Sequence, residues 1–430
     1  MLSYLYHRQI LAKIILTKIM DETPYRFEPA LIEGDIPETL VALAVDLVSE
    51  SASLPGRLPP EAAAELADIV RIMNCYYTNL IEGHSTKPVD IEQALRAPRE
   101  ERRPLQQEAF AHVAVQRTLD LMWREGRLPV PTSVRFVKSI HEAFYRAMPP
   151  EFLQSNAGGR AVVIVPGAFR SHAGDDVTVG RHQPPSSAVV GGFMAAFEQR
   201  YARLEARSAQ VLAMPAVHHR LNYIHPFVDG NGRVSRLVSH AMALKAGVGG
   251  DGLWSISRGL ARGLGDRKEY KRMLDAADQP RRGDRDGRGN LSLAALVDFS
   301  GWYLKVALDQ IRFCARSFDL DALGQRYRDL ASSELGDPRA GKLVERVLGL
   351  GEVARGDVLA LVGEQERTAR SILSRCGKAG YLKSASPKGP VRIAFSVRDR
   401  ASLFPGLFGD EPAREPLSRE TRRGHGGSER

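Results

Sequence analysis

The sequence predicts a mainly α-helical protein that ends in a small mixed domain. Three observations carry that reading. Apolar residues recur at three- and four-residue spacing through most of the chain up to about residue 320, as in 61–81 and 189–204. One stretch, 158–185, breaks the period with the β-like runs AVVIVPG and VTVG, joined by the turn-rich Ala173-Gly174-Asp175-Asp176, and reads as a hairpin. From 340 to 408 short helical patterns give way to β-like pieces.

The 430 residues leave room for two or three domains. Residues 1–30 read as an N-terminal extension of unassigned structure. Its first twenty residues look faintly like a signal peptide, but Lys13 and Lys18 interrupt the apolar run and no small-residue cleavage site follows. Translation from Met20, or a short amphipathic helix, fits the same residues. A helical region is expected over 31–115, a core over 116–320, a linker over 321–335, a small domain over 336–410 and a disordered tail over 411–430. Within the core, RRGDRDGRGN at 281–290 suits a surface loop before a helix over 293–313.

No apolar run is long enough to span a bilayer, so no membrane partner is expected. Cys75, Cys314 and Cys376 are odd in number and far apart, which fits neither a disulfide framework nor a metal knuckle and points to a reducing cytoplasm. A net charge of +9 suggests polyanionic partners, either nucleotide phosphates or nucleic acid.

The chemistry concentrates in residues 225–236, HPFVDGNGRVSR, a loop that opens the helical run LVSHAMALKAG. A helix start presents unpaired N–H groups and the positive end of a dipole, and Gly230 and Gly232 allow close approach of a ligand to the backbone. Arg233 and Arg236 share one face of the first turn and suit phosphate oxygens. Asp229 offers a hard oxygen for Mg²⁺, and His225 at the loop's entry can take a proton from a hydroxyl at neutral pH.

This segment resembles the signature of the Fic family, His-x-Phe-x-Asp/Glu-Gly-Asn-Gly-Arg-x-x-Arg, and matches it at every defined position. The resemblance implies a Fic-type helical core that transfers AMP from ATP to a Ser, Thr or Tyr hydroxyl of a target protein or of the chain itself. His225 would deprotonate that hydroxyl, Asp229 would hold Mg²⁺ across the α- and β-phosphates, and Asn231 would steady the α-phosphate. Arg233 and Arg236 would hold the β- and γ-phosphates, with Phe227 in the core. Attack at the α-phosphorus expels pyrophosphate, and positioning with charge neutralisation supplies most of the acceleration. The Doc branch, similar in fold, binds ATP in reverse and transfers the γ-phosphate, but its signature has Lys and lacks the second Arg. The intact pattern here favours AMP transfer.

Three further stretches resemble family features. Phe169 and Arg170, with Val177, Val179 and Gly180, resemble a flap that aligns a target segment by strand addition; a structural hairpin is the alternative. Thr78-Asn79-Leu80-Ile81-Glu82-Gly83 closes a helical pattern, with Thr78 and Glu82 on one face and Gly83 as a natural stop. It resembles the inhibitory motif Ser/Thr-x-x-x-Glu-Gly/Asn, which implies that Glu82 pairs with Arg236 and blocks productive ATP binding. Downstream, Trp254 to Arg262 and Glu269-Tyr270-Lys271 resemble stretches that follow the signature, with Tyr270 near the adenine or in the core. The resemblance spans roughly 30–320.

In the small domain, KLVERVLGL, a second short helix over 355–362, a turn at Gly363 and a third helix over 366–376 give a helix-turn-helix rhythm. Residues 381–384 and 391–395, separated by Pro387-Lys388-Gly389-Pro390, suit the strands of a wing. Arg367, Arg370 and Arg375 fall on the expected recognition helix, which suggests DNA as a partner; protein docking is the alternative. A nucleotide-sensing DNA-binding regulator, or transfer of UMP or phosphocholine, are the rival functions. The oligomeric state stays open, a homodimer being one option.

Overall fold

The computed structural model describes residues 22–54, 58–84, 86–157, 160–363 and 365–409. The expectations for 1–21 and for the tail over 411–430 lie outside these residues. The chain divides into two compact units, residues 1–316 and 317–430.

The first unit is built from helices α1 (Glu38–Ala52), α2 (Pro60–Ile81), α3 (Pro88–Arg96), α4 (Pro104–Arg124) and α5 (Val134–Arg146), then strands β1 (Gln154–Ala157) and β2 (Arg160–Val163). It continues with α6 (Val190–Tyr201), α7 (Arg207–Ile224), α8 (Asn231–Lys245), α9 (Ser257–Arg262), α10 (Glu269–Ala277) and α11 (Leu293–Ser317). Proline opens α2, α3 and α4, where its missing N–H costs nothing. Helix α8 is buried on nearly every side and packs against α4, α5 and α7, which fixes the loop in front of it.

Three expectations are corrected. Residues 22–30 are not an extension: Phe27 and Ala30 are core, and Tyr201 donates to the Ala30 carbonyl at 2.6 Å. The runs AVVIVPG and VTVG do not pair with each other. Residues 160–163 instead pair antiparallel with Gln154–Ala157, and Val179 meets only His182 across its own tight turn. The supposed linker over 321–335 is helix α12 (Leu320–Leu335), because Leu323, Tyr327 and Ala331 recur at four-residue spacing and are all buried.

The second unit follows α12 with α13 (Pro338–Leu350), β3 (Glu352–Val353), α14 (Val358–Val362), α15 (Glu366–Ala379), β4 (Leu382–Lys383), β5 (Val391–Ile393) and α16 (Arg400–Leu403). Its sheet has the order β3-β5-β4, with both pairs antiparallel. Tyr327, Tyr381, Phe395 and Phe404 meet ring to ring in its core.

Candidate active site

Helix α7 ends at His225, which adopts a left-handed conformation (φ 50°, ψ 61°) that is uncommon for a non-glycine residue and is held by its surroundings. Arg170 imposes it. Its backbone N–H bonds the Pro226 carbonyl at 3.0 Å, and its guanidinium donates to the carbonyls of His225 (2.8 Å), Ile224 (3.2 Å) and Pro185 (2.5 Å) and to Ser187 Oγ (3.0 Å). Arg170 is 2% exposed, so its expected place on a docking flap is corrected to a buried brace of the loop that follows α7. Phe169, half-buried, packs on Phe227 at 5.2 Å between ring centres. Of the other flap candidates, Val177 is half-buried, while Val179 and Gly180 are exposed.

His225 Nδ1 lies 3.2 Å from the Asn222 carbonyl, which makes Nδ1 the protonated nitrogen and leaves Nε2 as an acceptor. Burial lowers its pKa to about 4, so the ring is neutral at pH 7.

The loop is held from inside. Phe227 is fully buried and stacks on His141 of α5 at 3.9 Å and 6°. His141 accepts from the Gly167 N–H at 2.9 Å, and its Nε2 faces the Asp229 carbonyl at 3.3 Å. Asn231 spends its side chain on the loop: Oδ1 accepts from the Phe227 N–H (2.9 Å) and Nδ2 donates to the Phe227 carbonyl (2.8 Å). These two bonds staple the loop and leave the second Nδ2 hydrogen uncommitted.

Gly230 has φ 81°, and a Cβ there would stand 2.7 Å from the Tyr145 ring. A Cβ on Gly232 would collide with Glu82 Oε1. Gly230 is thus required by its backbone angle and the Tyr145 ring, Gly232 leaves room for the Glu82 carboxylate, and together they leave the first amides of α8 facing outward beside the exposed Asp229 carboxylate. Asp229 Oδ1 accepts from the Gly230 N–H at 2.7 Å.

Helix α2 ends in a Schellman turn. The His84 N–H bonds the Asn79 carbonyl (2.8 Å), the Gly83 N–H bonds Leu80 (3.1 Å), and Gly83 has φ 86°. This turn sets Glu82 over the N-terminus of α8, where its carboxylate pairs with Arg236. Arg236 also donates from Nε to Thr78 Oγ1 at 2.5 Å. Burial pushes the Glu82 carboxyl up, but the charges of Arg236 and Arg233 outweigh it and hold the group below its ordinary value. Arg233 is turned elsewhere, donating to Glu108 Oε1 at 2.6 Å.

A cavity of about 490 Å³ brings together Glu82, Val179, Gly180, His225, Gly232, Arg236 and Tyr270; Arg233 and Asn231 do not line it. Tyr270 is 5% exposed and its hydroxyl bonds His218 Nε2 at 2.8 Å. Sequence reading missed Asp278 and His219 in the same lining. There His182 faces Asp278 (3.2 Å) and the Tyr223 carbonyl (2.8 Å), and burial, which raises Asp278, is outweighed by bonds from His182 and His219 that hold it well below the carboxylate range. It also missed Glu108 and His84; neither sits in a local pattern.

Among the described residues no cluster of three or more His, Cys, Asp or Glu is placed to hold a metal, and no helix is long and apolar enough to cross a membrane. The three cysteines are buried free thiols.

In the second unit, Arg367 and Arg370 are exposed, with Arg370 beside Glu366 at 2.5 Å. Arg375 departs from expectation: it bonds Asp337 Oδ2 at 3.2 Å and the Leu335 carbonyl, tying α15 to the turn before α13.

An anion cradle at a helix start, with a neutral histidine at its entry, defines a candidate nucleotide site on a helical core. The model of the Fic/DOC family matches residues 131–243. Curated proteins named protein adenylyltransferase Fic are similar over part of the chain. That of Drosophila mojavensis is 37% identical over 90 residues, which is 21% of this chain and 17% of the relative. That of Drosophila sechellia is 38% identical over 91 residues, 21% and 18%. The matched stretch is less than a fifth of these relatives' length. A Fic family protein from Desulfovibrio desulfuricans G20 aligns in structure over 82% of this chain and 96% of its own, with a TM-score of 0.42 and 18% identity. Fic-1 from C. elegans aligns over 65% and 72%, with a TM-score of 0.44 and 16% identity.

Proposed function

We propose that this protein is an autoinhibited protein adenylyltransferase, moving AMP from ATP to a side-chain hydroxyl of a target protein or of itself. The observation that carries the reading is the Glu82 carboxylate seated over the open N-terminus of α8, beside Arg236 and in the same cavity as the neutral His225. An acid in that place stands where phosphate would bind.

In the reaction His225 Nε2 takes the proton of the incoming hydroxyl while Nδ1 stays bonded to Asn222. The amides of the α8 first turn and Arg236 bind the phosphates once Glu82 has moved aside. The exposed carboxylate of Asp229 at the cradle's rim fits Mg²⁺ carried in with the nucleotide, because one protein carboxylate plus phosphate oxygens is an ordinary Mg²⁺ set. The ion would supply charge neutralisation at the phosphates. Val179 and Gly180, exposed beside the cavity, are the part of the flap left to align a target segment.

The test is label transfer by the Glu82→Gly protein from ATP labelled at the α- or the γ-phosphate. Label from α only supports AMP transfer; label from γ only makes the protein a kinase, and label from UTP but not ATP changes the nucleotide.

For the second unit, the helix order, the β3-β5-β4 sheet and the exposed Arg367 and Arg370 support a winged helix that contacts duplex DNA. A groove of about 980 Å³ beside them carries Arg355, Lys378 and Lys383 as well. The full chain should be retained on duplex DNA with a steep salt dependence that Arg367→Ala/Arg370→Ala flattens; equal retention of both proteins would remove these residues from the account.

A further inference from the structure

The two arginines of the cradle are three residues apart on α8, yet only Arg236 reaches the cavity. The guanidinium of Arg233 lies inside the helical core. Its NH2 donates to Glu108 of α4 at 2.6 Å, and the two side chains retain 7% and 6% exposure. The ring of Phe144 on α5 lies 5.4 Å from its centre. Arg233 thus ties the first turn of α8 to two neighbouring helices at once. The same Glu108 oxygen bonds His84 Nδ1 at 3.0 Å, and His84 immediately follows the Schellman glycine that aims Glu82. One carboxylate oxygen therefore joins α8, α4 and the turn at the end of α2.

We propose that Arg233 is the anchor of the cradle and not a phosphate ligand, and that Glu108, backed by His84, is the residue that positions it. The inference rests on the nucleotide site proposed above and changes the division of labour within it. The phosphates are left to the α8 amides and Arg236, while Arg233 commits its NH2 to Glu108 and acts on the cradle through its charge alone.

Buried ion pairs have a property that separates the two roles. Removing one partner leaves an uncompensated buried charge and is strongly destabilising, whereas replacing both by apolar side chains of similar size is often neutral. A phosphate ligand behaves otherwise, because its loss weakens nucleotide binding whatever its neighbour becomes.

His84 adds a proton-dependent component. The groups facing it are Glu108 from α4, Arg233 from α8 and Glu82 from the end of α2. The bond to Glu108 outweighs burial and raises the His84 pKa above its ordinary 6.5. Its stabilisation is therefore complete below pH 6.5 and fades as pH rises through the folded value.

The experiment uses the full chain in a Glu82→Gly background and compares Arg233→Met, Glu108→Leu and the double variant. Tm and the Kd for ATP with Mg²⁺ are measured for each. The account expects both single variants to melt several degrees lower, the double variant to recover most of that loss, and its Kd for ATP to stay within about threefold of the background. A double variant that folds but binds ATP tenfold or more weakly overturns the proposal, as does a double variant no more stable than the worse single. If the Glu82→Gly protein itself binds no ATP, the nucleotide reading fails instead, while recovery in the double variant still identifies the anchor. His84→Gln should flatten the fall of Tm as pH rises above 6.5, and an unchanged slope removes His84 from the anchor.

Discussion

Arg233 and Arg236 share a helix, a sequence motif and a kind of partner, but they sit in different mechanical settings. Arg233 faces Glu108 in the second turn of α4, where both side chains are closed off from water. Arg236 faces Glu82 at the last turn of α2, and the carboxylate keeps 31% exposure while the guanidinium keeps 1%. The same ion-pair chemistry therefore makes a tie when the acid lies inside a helix, and a latch when it lies at a helix end that can fray or rotate. In the proposal made here the tie holds the cradle's shape, and the latch covers its opening.

That division predicts that changes to the fixed part cost catalysis equally with and without Glu82. The largest loss belongs to His225→Ala, which should lower transfer roughly 10³-fold in the Glu82→Gly background, read as initial rate. A residual rate within tenfold of the parent would show that another group takes the proton. Gly230→Ala comes next. Its Cβ would press on Tyr145 at a backbone angle that alanine resists, so a destabilisation of about 1–3 kcal/mol with a matching loss of ATP binding is expected by thermal melts and titration. Arg170→Met removes the brace from the His225 carbonyl and should lower kcat about tenfold with KM for ATP nearly unchanged, since Arg170 touches the loop and not the cavity. The smallest effect is on pH. With His225 depressed to about 4, activity should rise with pH through about 4 and be flat between 6 and 8; an acid limb near 6.5 would mean an unperturbed base.

What could be read from sequence follows from where the information lies. The cradle was legible because twelve consecutive residues carry it, and Glu82 because Thr78, Glu82 and Gly83 form a local pattern. Glu108 was not, since its partner Arg233 is 125 residues away and nothing around Glu108 marks it. The flap failed for a different reason. Residues 160–163 pair with Gln154–Ala157, a strand without a single β-branched or aromatic residue, so strand propensity pointed the AVVIV run downstream when its partner lay upstream. Arg170 was misplaced with it, because an arginine near a turn looks exposed until the carbonyls of the His225 loop are seen to claim its donors. Helix α12 looks like a linker because it joins two differently patterned regions, although its apolar spacing is regular.

The central claim is that Glu82 is a displaceable brake on a nucleotide-transfer site. Intact-mass spectrometry of the wild-type, Glu82→Gly and Glu82→Gly/His225→Ala proteins after incubation with ATP and Mg²⁺ tests it most directly. The account predicts a gain of one or more AMP units in the Glu82→Gly protein alone. Equal gain in the wild type would contradict the brake, and no gain in the Glu82→Gly protein would contradict self-modification through this site.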